Sequence, residues 1–334
     1  MATMAFFEIK PWEKTYLKRH LKPHRLLFFD EPLGAAALDR IQDAEVLSVF
    51  IYSRVDRAVL ERLARLRLIA TRSTGYDHID LAACAARGVA VLNVPSYGEN
   101  TVAEHAFALI LSLSRNVHKS YLRMQRNDFS IEGLTGFDLQ GKTLGVVGAG
   151  HIGLHVVRIA KGFGMNVLVC DVNRQPFLAE VLGYQYTSLD ALCRHSDIIS
   201  LHVPYNQHTH HLINMENIKT IKRGAILINT ARGAVVDTDA LLWGLEKGVL
   251  GGAGLDVIEG EELILEEGQL LHDPSNLEKW RTIITDRRIL SMDNVVFTPH
   301  NSFNSREALV RILDSTIENI QGGLAGQGKN VIEG

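Results

Sequence analysis

Three side chains that could do chemistry come at the ends of predicted strands. Arg232 follows the apolar run Ala225–Asn229, Asp256 ends the stretch "GGAGLD", and His300 follows "VVFTP". Arginine carries a permanent charge and a planar fork of donors that suits a carboxylate or a phosphate. Histidine exchanges protons near neutral pH, and a carboxylate bonded to it favours its charged form. Taken singly, each residue also has an ordinary structural explanation. Beside a cofactor, the three would supply an anion clamp, an acid/base group and a carboxylate.

A glycine pattern after another strand indicates that cofactor. The stretch "GAGHIG" places Gly148, Gly150 and Gly153 directly after the strand Leu144–Val147 and at the start of a helix, and Asp171 ends the next strand. Such glycines permit a tight turn and let the backbone approach a pyrophosphate at the helix N-terminus. The acid would bind the adenosine ribose and repel a 2′-phosphate. We therefore expect NAD rather than NADP; the alternative is a glycine-rich turn without a ligand.

The elements that must position these residues follow a β/α alternation. We predict strands at Phe6–Glu8, Leu27–Phe29, Val46–Phe50, Leu68–Thr71 and Val89–Asn93, and a second series at 144–147, 167–170, 198–202, 225–229, 252–257 and 295–298. This pattern is typical of an α/β protein with two doubly wound parallel sheets. Between the series, residues 99–127 are expected to form one long helix, apolar on more than one side. An amphipathic helix is expected at 305–321, and residues 263–292 form a long insertion of functional or interface character.

Composition excludes several classes of protein. The 334 residues are 46% hydrophobic and 22% charged, with a formal net charge of −3, which argues against disorder and against a nucleic-acid partner. Cys84, Cys170 and Cys193 are scattered and odd in number, so a disulfide framework is not expected. The N-terminus has no signal-peptide pattern, and no apolar run is long enough for a membrane span. We expect a cytoplasmic protein of two domains.

Seven stretches carry a resemblance to a known family. They are "STGYDHIDL", "NVPSYGENTVAEHA", "FSIEGLTGFDLQGKTLGVVGAGHIG", "SLHVPYNQHTHHLIN", "INTARGAVVD", "GLDVIEGEE" and "TPHNSFNSREAL". In these stretches, in this order and over nearly the whole chain, the sequence resembles the NAD-dependent D-2-hydroxyacid dehydrogenases, and most closely their fermentative D-lactate branch.

The resemblance implies a catalytic set of Arg232, Glu261 and His300. Glu261 is chosen over Glu259 and Glu262 because it lies five residues after Asp256, which is the spacing of the family. Arg232 would bind the carboxylate of a small 2-oxo acid, most simply pyruvate. His300 would protonate the oxo group to give the D-2-hydroxy acid. Glu261 would bond to the imidazole and favour its protonated form.

The resemblance also implies the binding residues and the domain organisation. Cofactor contacts beyond the glycines and Asp171 are expected at Val102, His151, Ile152, Val203, Pro204, Thr209, Thr230, Ala231 and Asp256. The backbone of Thr74 and Gly75 and the hydroxyl of Tyr97 would face the substrate. A flavodoxin-like substrate domain would comprise residues 1–100 and 301–334, and a Rossmann NAD-binding domain residues 101–300. The helix at 99–127 is expected to form the core of a homodimer.

Several readings remain open beside this one. A larger branched 2-oxo acid, glyoxylate or hydroxypyruvate could replace pyruvate, and an NAD(H)-sensing co-repressor shares the fold. The segment "HTHH", with His208, His210 and His211, suggests a metal site, but the sequence places no cysteine or carboxylate beside it, so we expect no metal. His78 and His105 lie in motifs that the resemblance marks as structural.

Overall fold

The computed structural model describes residues 1–261 and 277–332. Backbone contacts divide the chain into two compact units: unit 1 comprises Met1–Gly98 and Ser305–Gly334, and unit 2 comprises Glu99–Asn304. The first half of the predicted insertion, up to residue 276, lies outside the described residues. Within those residues, no helix has the length and apolar character needed to cross a membrane.

Unit 1 is built on a parallel sheet. Its described residues form the strands β1 (Thr3–Phe6), β2 (Arg25–Phe28), β3 (Val46–Val49), β4 (Leu68–Thr71) and β5 (Ala90–Leu92). The strands lie in the order β2-β1-β3-β4-β5, and every pair is parallel. This is the flavodoxin-like order, in which helices cover both faces of the sheet. β3 and β4 are buried at every position, as such a central location requires.

Three of the described helices of unit 1 begin at a side-chain cap. The described helices are α1 (Pro11–His20), α2 (Ala35–Leu38), α3 (Arg57–Arg62), α4 (Leu81–Ala86) and the C-terminal α12 (Arg306–Leu324). The side chains of Asp56 and Asp80 accept from backbone amides in the first turns of α3 and α4, and Ser305 does so for α12. These bonds satisfy amides that a helix start otherwise leaves unpaired.

Unit 2 holds a larger parallel sheet. Its described strands are β6 (Thr143–Val147), β7 (Asn166–Cys170), β8 (Gln185–Tyr186), β9 (Ile198–Leu201), β10 (Ala225–Asn229), β11 (Leu250–Leu255) and β12 (Val295–Phe297). They lie in the order β12-β11-β10-β9-β6-β7-β8. The order reverses between β6 and β9, which is the doubly wound arrangement of a Rossmann domain. The predicted fold class is confirmed; β8, with only two residues, is too short to leave a sequence pattern.

The helices of unit 2 cover both faces of this sheet. They are α5 (Glu99–Ser114), α6 (Val117–Gln125), α7 (His151–Gly162), α8 (Pro176–Leu182), α9 (Leu189–His195), α10 (Thr238–Glu246) and α11 (Leu277–Leu290). α5 lies directly against β11, since a Cβ placed on Gly254 would be 2.9 Å from the Cβ of Leu109. The glycine-rich sequence of β11 is therefore what allows α5 to pack so closely.

The prediction of one helix over residues 99–127 is wrong. Asn116 adopts a left-handed conformation with φ 50°, and the chain forms α5 and α6 on either side of it. The Asn116 side chain donates to the carbonyls of Leu134 and Thr135, both at 3.2 Å. Asparagine tolerates this conformation better than most residues, and the loop contacts hold it there. α5 is largely buried within unit 2, whereas α6 contains no buried residue.

The first strand is also displaced from its predicted position. The prediction was Phe6–Glu8, but β1 runs from Thr3 to Phe6. Glu8 has φ 55°, and its carboxylate accepts hydrogen bonds from the backbone amides of Phe50 and Tyr52 at 3.0 and 3.1 Å. A residue in that conformation does not continue a strand.

Candidate active site

Three neighbouring strands of unit 2 carry the candidate catalytic residues at their carboxyl ends. β10, β11 and β12 are adjacent in the sheet, and they lead respectively to Arg232, to the Asp256–Glu261 segment and to His300. Because neighbouring strands lie about 4.8 Å apart, these three strand ends span about 10 Å. The structure therefore brings the predicted residues to one edge of the sheet, where doubly wound folds bind their ligands.

Arg232 lies on a turn that Asn229 braces. The Asn229 side chain accepts from the amide of Ala231 at 3.0 Å and donates to the carbonyl of Arg232 at 2.9 Å. The Arg232 guanidinium donates from Nη1 to the carbonyl of Ala231 at 2.8 Å, which aligns it along its own turn. Because Asn229 is itself buried, the turn has a fixed foundation at the end of β10.

Gly233 brings the Arg232 turn against the segment that leads to Glu261. A Cβ on Gly233 would lie 2.2 Å from the carbonyl carbon of Ile258 and 2.4 Å from the backbone nitrogen of Glu259. No side chain fits in that space, so only glycine permits the contact. The two segments that carry Arg232 and Glu261 are thus in backbone contact.

His300 and Glu261 form a direct pair. The distance from His300 Nδ1 to Glu261 Oε1 is 2.9 Å, and the two side chains are 17% and 25% exposed. A carboxylate only accepts, so Nδ1 carries a proton in this pair. Nε2 is then the nitrogen that exchanges a proton with a ligand. The pair is half-buried, which strengthens its electrostatic interaction compared with a fully exposed pair.

The backbone of His300 is held in an unusual conformation. Its φ is 47°, in the left-handed region, and its amide donates to the carbonyls of Asp256 and Thr298, both at 2.9 Å. The Asp256 carboxylate, which is fully buried, accepts from the amides of Asn301 and Ser302 at 3.0 and 2.9 Å. Asp256 therefore stabilises the turn that carries His300 through its carboxylate oxygens. This contact was not predicted from the sequence.

The glycines of "GAGHIG" build a tight entry into α7. Gly148 has φ 92°, and a Cβ there would lie 2.6 Å from the carbonyl oxygen of His202; a Cβ on Gly153 would lie 2.0 Å from the carbonyl oxygen of Gly148. Gly150 caps α7 without a side-chain bond, and a Cβ there would meet nothing within 4 Å. Because no side chain accepts from the first amides of α7, this helix N-terminus and the open space at Gly150 suit a pyrophosphate.

Asp171 is coupled to the same turn. Its carboxylate accepts from the amide of Ala149 at 2.5 Å and from the amide of Asn173 at 2.6 Å. The side chain is half-buried at the end of β7 and still has lone pairs for the hydroxyls of a ribose. Burial lowers the pKa of His202, whose backbone lies beside Gly148, to about 4, so that ring carries no positive charge near neutral pH.

The other predicted cofactor residues are distributed around this edge of the sheet. His151 and Ile152 open α7, Thr209 donates to the carbonyl of Pro204 at 2.6 Å, and Val203, Thr230 and Ala231 follow β9 and β10. Val102 is buried in α5. Two buried polar atoms at this edge, Thr230 Oγ1 and Asn301 Oδ1, have no hydrogen-bond partner among the described residues. Such orphaned atoms, with the open space at Gly150, fit a dinucleotide ligand.

The predicted substrate residues Thr74, Gly75 and Tyr97 belong to unit 1. The Thr74 hydroxyl donates to the carbonyl of Val94 at 2.9 Å. The backbone carbonyl of Thr74 accepts from the Asn93 side chain at 2.8 Å. The Tyr97 carbonyl accepts from Arg311. These bonds fix the backbone of the loops, and the roles of the three residues stay predictions.

The histidine-rich segment has a carboxylate beside it after all. His211 Nε2 lies 2.9 and 3.0 Å from the two carboxylate oxygens of Glu259, and the ligand atoms of His210, His211 and Glu259 lie within 4.8 Å of one another. The imidazole rings of His210 and His211 stack, with centroids 3.9 Å apart and an interplanar angle of 23°. The structure thus places next to these histidines a carboxylate that the sequence pattern did not indicate, and the expected absence of a metal stays a prediction.

Comparison with known proteins agrees with the geometry. A family model described as the NAD-binding domain of D-isomer-specific 2-hydroxyacid dehydrogenases matches residues 107–302. The chain is similar to D-lactate dehydrogenase of Escherichia coli, with 36% identity over 95% of both chains. It is also similar to glyoxylate reductase of Pyrococcus furiosus, with 35% identity over 92% of this chain and 84% of that one. The solved structure of D-lactate dehydrogenase from Aquifex aeolicus, in complex with NAD and lactic acid, superimposes with a TM-score of 0.86 at 37% identity, covering 97% and 96% of the two chains.

Proposed function

The chain belongs to the NAD-dependent D-2-hydroxyacid dehydrogenases, and from that premise we propose that it reduces pyruvate to D-lactate with Arg232, Glu261 and His300 as its catalytic residues. The observation that carries the proposal is the His300–Glu261 pair of 2.9 Å on the strand ends beside the Arg232 turn. An acid/base group and a fixed cation at one edge of a nucleotide-binding sheet are what reduction of a 2-oxo acid requires.

His300 moves the proton of the reaction. NADH, when bound, supplies the hydride that the 2-carbon receives. The Nε2 proton of His300 goes to the oxygen of the 2-oxo group, which becomes the hydroxyl, and the imidazole is left neutral. Glu261 holds Nδ1 through this exchange, so the ring keeps one orientation and the proton leaves from one nitrogen. In the reverse direction the neutral ring accepts the hydroxyl proton at Nε2.

Arg232 binds the carboxylate of the substrate. A guanidinium offers two parallel N–H donors that match the two carboxylate oxygens, and such charge-assisted pairs are stronger than neutral hydrogen bonds. The brace from Asn229 and the close contact at Gly233 fix the turn from which this side chain projects. Fixing the substrate by its carboxylate also fixes the position of its 2-carbon, which lowers the entropic part of the barrier.

Pyruvate is supported by the likeness to D-lactate dehydrogenases, and glyoxylate is the second candidate because a glyoxylate reductase is also similar. The two substrates differ by one methyl group, which a pocket discriminates by about 1–3 kcal/mol. The test is the ratio of kcat/KM with NADH for pyruvate, glyoxylate, hydroxypyruvate and a branched 2-oxo acid. Pyruvate should lead by about tenfold or more; a higher value for any of the others would transfer the assignment to that substrate.

The remaining assignments concern the cofactor and the cell. We assign Asp171 to the ribose hydroxyls, which favours NADH over NADPH because the carboxylate repels a 2′-phosphate. A cytoplasmic location fits the three cysteines, Cys84, Cys170 and Cys193, which are all free thiols. The alternative, a co-repressor that only senses NAD(H), is separated from an enzyme by steady-state oxidation of NADH with pyruvate, because a sensor turns over no 2-oxo acid.

A further inference from the structure

A chain of hydrogen bonds within unit 2 connects α5 to the turn that carries His300. His105 Nε2 lies 3.0 Å from the Thr298 hydroxyl oxygen, and that hydroxyl donates to Asp256 Oδ1 at 2.6 Å. We propose that His105 and Thr298 are positioning residues that act through Asp256 to hold His300 in its reactive orientation; this inference rests on the proposed role of His300.

The direction of each bond follows from the chemistry of the groups. Thr298 has one hydroxyl proton, which it donates in a hydrogen bond to the Asp256 carboxylate at 2.6 Å. The hydroxyl oxygen must then accept from His105, so His105 carries a proton on Nε2. A second contact of 3.5 Å joins His105 Nε2 to Asp256 Oδ1 itself. His105 Nε2 is therefore a hydrogen-bond donor that points toward Thr298 and the Asp256 carboxylate.

The Asp256 side chain is shielded from solvent. It is completely buried, and a buried carboxylate is costly unless donors surround it. The Thr298 hydroxyl and the amide of Asn301 donate to Oδ1, and the amide of Ser302 donates to Oδ2. The two amides lie immediately after His300, and the amide of His300 itself donates to the Asp256 carbonyl at 2.9 Å. Every one of these bonds pins the turn of residues 298–302.

The turn needs such pinning because His300 is strained. Its φ of 47° lies in the left-handed region, which a non-glycine residue keeps only where its surroundings impose it. Without the Thr298 hydroxyl, Oδ1 loses its shortest bond, and the carboxylate is free to turn toward another donor. The amides of Asn301 and Ser302 would then lose their fixed acceptor. His300 would relax, and its ring would no longer meet Glu261 and the substrate in one geometry.

The test uses matched pairs of variants that keep or remove each donor. Thr298→Val removes the hydroxyl at nearly constant volume, and Thr298→Ser keeps it. His105→Phe removes the N–H and retains a ring, and His105→Gln keeps an N–H donor. Leaving a buried polar group without its hydrogen-bond partner corresponds to about 10–100-fold in activity where that group holds the reactive geometry. We expect that fall in kcat for Thr298→Val and His105→Phe, less than about threefold for the two conservative variants, and unchanged NADH affinity by fluorescence titration.

A second readout does not depend on turnover. In protein labelled with ¹⁵N-histidine and free of cofactor, the His300 ring signals, assigned by their loss in His300→Gln, should report a single tautomer protonated at Nδ1. In Thr298→Val they should broaden or split, and in Thr298→Ser they should not. If the wild type turned over no 2-oxo acid, the proposed function would fail, yet these spectra would still decide whether the network positions His300.

Two outcomes would overturn the inference. One is a wild-type kcat and unchanged His300 signals in Thr298→Val and His105→Phe. The other is an equal loss in both members of each pair, which would make packing, rather than the hydrogen bond, the function of these positions. Melting temperatures within a few degrees of the wild type would show that all four variants are folded.

Discussion

At the scale of single residues, the site depends on what each polar atom is already bonded to. His300 gives Nδ1 to Glu261, and Asp256 gives both oxygens to the His300 turn. The strand-end positions of Arg232 and His300 could be predicted from the sequence, because parallel strands deliver their following residues to one edge. The bond from His105 to Thr298 could not, because 193 residues separate the partners. Only their motifs, "AEHA" and "FTPH", offered a signal.

The first prediction concerns the shape of the Arg232 side chain. Arg232→Lys keeps the charge but loses the planar fork, so one flexible contact replaces two parallel ones. We expect KM for pyruvate to rise and kcat to fall, with kcat/KM lower by about 100-fold or more. The dissociation constant for NADH, measured by fluorescence titration without substrate, should stay unchanged. Weakened NADH binding with nearly normal catalysis would instead make Arg232 a contact of the cofactor phosphates.

The second prediction separates Glu261 from its neighbour Glu259. Glu261→Gln removes the negative charge opposite the Nδ1 proton of His300, and with it the charge-assisted bond that orients the ring. We expect kcat for pyruvate to fall by about tenfold, with unchanged NADH affinity by fluorescence titration. Glu259→Gln is the matched control, since Glu259 pairs with His211. A loss of kcat in the control with none in Glu261→Gln would reverse the assignment.

At the scale of elements, the sequence pattern predicted those helices and strands whose formation depends on nearby residues. The strand and helix around "GAGHIG" lie where glycine and β-branched residues indicate. The break at Asn116 was not predicted, because the bonds that stabilise its left-handed conformation come from the carbonyls of Leu134 and Thr135. The role of Gly233 was also missed, since its need for glycine arises from Ile258 on another loop. Contacts between distant segments are what the one-dimensional pattern leaves out.

The third prediction tests that loop contact. A Cβ at position 233 would lie 2.2 Å from the backbone of Ile258, so Gly233→Ala must push the Arg232 turn away from the Glu261 segment. A displacement of about 1 Å at a catalytic residue costs about 100-fold in rate, and kcat/KM for pyruvate should fall by that amount. Gly34→Ala serves as control, because a Cβ there meets nothing within 4 Å. Full activity in Gly233→Ala would show that the contact has no catalytic importance.

At the scale of the whole molecule, two α/β units are built from one alternating pattern, with the chain passing from unit 1 to unit 2 and back. The homodimer expected from the sequence stays a prediction, and α6 is the part of residues 99–127 on which we test it. α5 is committed to the interior of unit 2, whereas Tyr121 and Leu122 on α6 are 63% and 54% exposed. Phe129 and Ile131, which follow α6, are 76% and 84% exposed. A second copy of the chain is the partner that we propose for this apolar surface.

The fourth prediction tests this surface. Wild-type protein should sediment as a dimer, and Leu122→Glu should sediment as a monomer, because it places a charge in the apolar contact. Ile284→Glu is the control, since Ile284 is 63% exposed on α11 and lies outside the α6 surface. A monomeric wild type, or a Leu122→Glu variant that remains dimeric, would remove α6 from the interface.

The proposed reaction is tested by its rate and by the handedness of its product. Purified protein is incubated with NADH and pyruvate, oxidation of NADH is recorded by absorbance, and the lactate formed is resolved on a chiral column. We expect stoichiometric oxidation of NADH, D-lactate as the single product, and a rate in His300→Gln that is lower by about 100–10,000-fold. Formation of L-lactate, or no oxidation of NADH with pyruvate or any other 2-oxo acid, would contradict the proposed function.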